Sequence, residues 1–111
     1  MINAMEKAQY RKYPILSILL KDTNDPHKSR LIRSILQRFN RRIVNFYNFC
    51  FRDKSNTEMN LYLLNLIYKD FKNGLLDTKL SSLERQRMNG YLKAKWREYK
   101  KLISRMREES V

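Results

Sequence analysis

In the stretch DPHKSRLIRSILQRFNRRIVNFYNFCFRDK, Asp25 to Lys54, apolar residues recur at Ile32, Leu36, Phe39, Ile43, Phe46 and Cys50. The steps of four and three place all six within about 40° of one line on a helix, which makes a single apolar seam. Arg30, Arg41 and Arg52 project from the opposite side, with Arg33 and Arg38 flanking them. The start is marked as well. Asp25 is a good N-cap, and Pro26 suits the first helical position because its missing N–H is an orphan there. The spacing predicts one helix over 26–52 with a core face and a cationic face.

The rest of the chain fits around that helix. With 42% hydrophobic residues in 111, the chain can bury one modest core and no more. Two Gly and two Pro leave few strand-turn signals, and neither Asn73-Gly74 nor Asn89-Gly90 is flanked by alternating apolar residues. The expected architecture is all-α, a single compact bundle of about four main helices without a sheet. The first is an N-terminal segment over 1–24, kinked at Pro14, in which the run Ile15 to Leu20 is apolar nearly all round. The others are the helix over 26–52, a third over 56–72 and a last over 82–109.

Capping patterns set two of those starts. Ser55 with Glu58, and Ser81 with Glu84, each match the capping box, in which two side chains satisfy each other's backbone N–H. The third helix carries Leu61, Leu64, Tyr68 and Phe71 in one stripe, widened by Leu63, Leu66 and Ile67, so it should be central. Asn73-Gly74 reads as its stop, with Gly74 in the left-handed conformation and Leu75 and Leu76 packing back onto the bundle. The last helix lines up Met88, Leu92, Tyr99, Ile103 and Met106, with Tyr91, Trp96 and Leu102 beside them.

The function follows from charge rather than from a catalytic motif. A formal charge of +13 opposes compaction and implies a polyanionic partner. Arg30, Arg33, Arg38 and Arg41 on one helix, and Lys93, Arg97, Lys100, Lys101 and Arg105 on another, are the candidate nucleic-acid contacts. They would follow phosphates and carry little sequence information. Most aromatics sit at core spacing, and Trp96 is the best placed for an exposed contact. Enzymatic chemistry is not expected. His27 is the only histidine and Cys50 the only cysteine, too few for a zinc site, and no phosphate-cradling glycine loop or nucleophile elbow is present. Neither a cofactor nor a metal nor a small-molecule substrate is implied. One cysteine demands no oxidising compartment, and no signal or membrane-spanning pattern is seen, so a reducing intracellular compartment (cytoplasm, nucleoid or nucleus) is expected.

RLIRSILQRFNRRIVNFYNF followed by KLSSLERQRMNGYLKAKWREYKKL resembles the helical domain of GINS replication subunits. Arg41, Arg42, Ile43 and Phe46 occupy that family's pattern "E-R-R-x-R-K-I-x-x-L". Leu80, Ser81 and Glu84 occupy the start of its next helix, although Arg85 and Arg87 dilute the acidic run expected there. The resemblance spans about Arg30 to Leu102 and implies a non-catalytic scaffold that packs against sister subunits and joins a replicative helicase. The seam of the helix over 26–52 and the run with Ile15, Leu16, Leu19 and Leu20 would then be partly interface rather than core, and Trp96 is a further candidate for partner contact. Protein partners or self-association are therefore expected beside nucleic acid, and a membrane is not. Two alternatives stand: a small viral or phage-type DNA- or RNA-binding regulator, and a basic adaptor or inhibitor docking on an acidic protein.

Overall fold

Helix α1, Pro26–Arg52, opens as its sequence dictates. The His27 N–H donates to Asp25 Oδ1 at 2.9 Å, and Ser29 N–H donates to the Asp25 carbonyl at 3.0 Å. In this computed structural model the described residues are 25–52 and 56–109, with side chains described through 106. The expected segment over 1–24, with its Pro14 kink and the residues Ile15, Leu16, Leu19 and Leu20, lies outside them, as does Ser55. Among the described residues there are three α-helices and no strand. The all-α class holds, and the count of about four helices is corrected to three there.

Helix α2, Thr57–Gly74, is capped by Asn56, whose Oδ1 accepts from the Met59 N–H at 3.2 Å. It runs two residues beyond the expected end. Gly74 does not stop it in the left-handed conformation; its φ of −61° and ψ of −26° are right-handed. The chain instead tightens into a 3₁₀ turn, Leu75–Asp77, which the Thr78 side chain closes by donating to the Leu75 carbonyl at 2.6 Å. Leu75 is buried in that turn, whereas Leu76 is exposed, so only one of the two leucines packs back; Leu80, buried, is the second plug.

Helix α3, Ser82–Glu109, starts at the expected capping box. Ser81 N–H donates to Glu84 Oε1 at 2.8 Å, and Glu84 N–H donates to Ser81 Oγ at 3.1 Å. The same carboxylate pairs with Lys28 Nζ at 3.2 Å, tying the start of α3 to the start of α1. Further along, Asn40 meets Tyr91, and Tyr47 meets Tyr99. Residue numbers rise together along both helices, so α1 and α3 are parallel. The end of α2 lies beside the beginning of α3, and α2 is antiparallel to both. The topology is an up–down–up three-helix bundle.

All six predicted seam residues of α1 face inward: Ile32, Phe39, Ile43 and Cys50 are fully enclosed, Leu36 is buried, and Phe46 packs against the core from its edge. Phe39 is the hub. Its ring meets Phe71 of α2 edge-on at 5.1 Å and Tyr91 of α3 at 6.4 Å, so one side chain contacts both other helices. Opposite it, Leu64, Ile67 and Tyr68 of α2 and Met88, Leu92, Ile103 and Met106 of α3 complete the core.

The core also holds two polar residues, Asn60 and Lys95. Lys95 donates to Asn40 Oδ1, and the Tyr91 hydroxyl donates to the same oxygen at 2.7 Å. A buried ammonium and a buried phenol thus share one acceptor from the neighbouring helix, which answers part of their desolvation cost. Burial pushes the Tyr91 phenol far above its usual pKa, against the opposing effect of its Asn40 hydrogen bond, so it stays a neutral donor.

Three outcomes follow. Phe39→Ala should cost about 3–5 kcal/mol in denaturant unfolding, whereas exposed Phe49→Ala should stay within about 0.5 kcal/mol. Asn40→Leu removes the shared acceptor and should cost about 1–3 kcal/mol in the same assay. Glu84 has a pKa below the usual carboxylate value, chiefly because the Ser81 N–H favours its anion; partial burial opposes this, and the Ser81 side chain and Lys28 add to the lowering. Its stabilising contribution is therefore present above the unfolded pKa of 4.5 and lost as pH falls through the lower folded value. The stability gap between wild type and Glu84→Gln should shrink from neutral pH to about pH 3, and an unchanged gap would contradict this assignment.

Candidate nucleic-acid interface

The charge of the bundle is divided unevenly among its helices. Helix α1 carries seven Lys or Arg and no Asp or Glu. Helix α3 carries nine against four glutamates, and α2 carries two lysines against one Glu and one Asp. Nearly all of the cationic character thus sits on the two parallel helices, and α2 is neutral.

The four arginines predicted on α1, Arg30, Arg33, Arg38 and Arg41, are all exposed. The inward seam forces this, because the face opposite it must point to solvent. Arg38 and Arg41, joined by Arg42, border a groove between α1 and α2 whose floor includes Leu31, Ile35, Phe71 and Leu75. Arg42 was not singled out from sequence as a contact. It lies about 80° from the seam, which is the edge position from which a long side chain reaches over a neighbouring helix. Asp70 of α2 stands on the same groove and supplies its one acidic side chain.

On α3, Lys93, Arg97, Lys100, Lys101 and Arg105 are likewise exposed. Arg97, Lys101 and Arg105 follow one another at steps of four, about 6 Å of rise each, around a shallow depression that also includes Glu98. Lys100 sits apart from this row, its Nζ 5.1 Å from the centroid of the Trp96 ring. The structure therefore groups the candidates into two ridges, one per helix, with the α1 and α3 sets lining different depressions.

Trp96 is half-buried. Its ring stacks on Tyr68 of α2 at 5.2 Å and 17°, and Lys100 covers it from outside. Tyr68 in turn donates to Asn89 Oδ1 at 3.0 Å; burial raises its phenol pKa, and the charge of Arg97 lowers it in part. Trp96 thus seals the α2–α3 seam as a packed residue as well as a surface one. The aromatics that do face solvent are Phe49, Phe51 and Tyr62, each more than half exposed. Only the first two are near a basic helix end. His27 is exposed in the first turn of α1, and Cys50 is buried in the core.

Chemically, two rows of long cationic side chains on rigid helices can neutralise phosphates. Among the described residues no group of three or more His, Cys, Asp or Glu could hold a metal ion, and no helix is long and apolar enough to cross a membrane. No protein-family model, curated protein or solved structure matches this chain.

Proposed function

We propose that this protein is a non-enzymatic nucleic-acid-associated helical bundle that holds phosphate backbones on the outer faces of α1 and α3. The observation that carries the reading is the composition of α1: 27 residues with seven Lys or Arg and no Asp or Glu in the helix. A solvated helix face of that length ordinarily interleaves Glu with Lys or Arg at steps of four, which relieves like-charge repulsion. No such interleaving exists within α1; Glu84 of α3 answers Lys28 and Asp70 of α2 stands beside Arg38, Arg41 and Arg42, and bound phosphates would supply further relief. The ridges read backbone rather than bases, so binding is weakly sequence-dependent and strongly salt-dependent.

The setting we propose is a replication scaffold of GINS type. Its support is local: Leu80 is buried, and Ser81 with Glu84 starts α3 as the resemblance requires. Arg41 and Arg42, which match the other half of the pattern, border the α1–α2 groove, where a neighbouring subunit could reach them.

Titration of the full chain into labelled single-stranded and duplex oligonucleotides tests the reading. With about six phosphates neutralised, affinity for duplex should fall by about a thousandfold between roughly 50 and 200 mM salt. Reversing Arg97, Lys100 and Lys101 to Glu should weaken binding at least about tenfold and flatten the salt slope by about three, with helix content by circular dichroism unchanged. Absence of binding at low salt would sink the proposal. Equal affinity for polyglutamate would move it to an adaptor that docks on acidic proteins.

A further inference from the structure

The neutral helix carries an apolar stripe on its outer face. Met59, Tyr62 and Leu66 of α2 are 49%, 57% and 42% exposed, at steps of three and four that put them on one line. Toward α1 the stripe meets half-buried Leu63 at a depression it shares with Leu66 and Phe46, rimmed by Arg42, Lys69 and Asp70, and Phe46 stacks on exposed Phe49 at 6.3 Å. Contiguous exposed apolar surface of this kind marks an interaction site more often than a scattering of single residues does.

The charges around the stripe identify its occupant. Exposed Glu58 and exposed Lys69 border the same flank, eleven residues apart, about three turns and therefore nearly in line. Two such helices packed antiparallel about a twofold axis between residues 63 and 64 bring Glu58 of one copy beside Lys69 of the other, twice over. The surface is complementary to itself, as an isologous contact requires. Among the described helices, α2 is also the neutral one, so two copies of a strongly basic chain can approach through it without setting α1 or α3 of one copy against those of the other. We infer that the chain forms a symmetric dimer through the outer face of α2, with Met59, Tyr62 and Leu66 as its apolar centre and reciprocal Glu58–Lys69 pairs at its ends. The inference is independent of nucleic-acid binding, and the centre of the contact at Met59, Tyr62 and Leu66 holds no Lys or Arg.

Sedimentation equilibrium of the full chain without nucleic acid tests it. The weight-average mass should rise from 13.6 kDa toward twice that value with concentration. The rise should be steeper at about 500 mM salt than at about 50 mM, because screening removes the repulsion between the two +13 chains. Leu66→Asp should raise the dimer dissociation constant at least tenfold, by about the tenfold-per-1.4 kcal/mol relation, with helix content by circular dichroism retained. Leu66→Gln gives the same readout without a new charge. Glu58→Lys should weaken the dimer several-fold, and Glu58→Lys with Lys69→Glu should restore it. A mass that stays at 13.6 kDa to about 500 micromolar overturns the proposal, as does association indifferent to Leu66→Asp. Failure of the double charge swap to recover the single reversal overturns the antiparallel arrangement.

Discussion

Two helices that are both strongly cationic lie parallel and in contact, and everything else in the bundle has to accommodate that. α1 and α3 are joined at three heights. Lys28 meets Glu84 at one end, Asn40 binds both Tyr91 and Lys95 in the middle, and Tyr47 packs on Tyr99 further along. Each contact consumes or neutralises charge, or replaces it by a ring. Lys95 is turned inward onto an amide oxygen instead of outward among the other cations. Between these contacts the apolar seam supplies the net attraction, with Phe39 touching both partner helices. Most of the remaining cations, Arg30, Arg33, Arg38 and Arg41 on α1 and Lys93, Arg97, Lys100, Lys101 and Arg105 on α3 among them, are exposed.

That partition connects packing to function. Because the inner faces of α1 and α3 are committed to the core, their cations form two outward ridges on rigid supports. Helix α2, which packs antiparallel against both, needs no such arrangement and is neutral. A polyanion would see the two ridges, whereas a partner with apolar character would see α2. On the proposed reading, the bundle offers electrostatic and hydrophobic surfaces on different helices, whose affinities salt would move in opposite directions.

The apolar rhythm of the sequence carried most of this. The Ile32-to-Cys50 seam, the start of α1 at Asp25-Pro26, the capping box at Ser81 and Glu84 and the Met88-to-Met106 line were all legible, because each is a local pattern with one helical solution. Other features depend on tertiary context. Asn56 serves as the cap of α2, one residue past the serine of the sequence pattern. Gly74 stays right-handed because the chain turns through a 3₁₀ segment that buries Leu75. Lys95 is cationic by type yet lies four residues after Tyr91 and four before Tyr99, a core position by spacing. Asn40, its acceptor, sits next to Phe39 and was equally visible by position. Of the exposed stripe on α2, Leu66 belongs to the wide apolar band of the sequence, and only the placement of α1 and α3 decides which flank of that band is covered.

The central claim is that the cationic faces of α1 and α3, and not the neutral face of α2, meet the polyanion. Backbone amide chemical-shift mapping during titration with a short oligonucleotide, at about 50 mM salt, tests this most directly. The account predicts shifts concentrated around Arg30 to Arg41 and Lys93 to Arg105, with Met59 to Leu66 unmoved. Shifts centred on α2, or none on α1 and α3 at saturating oligonucleotide, would contradict it.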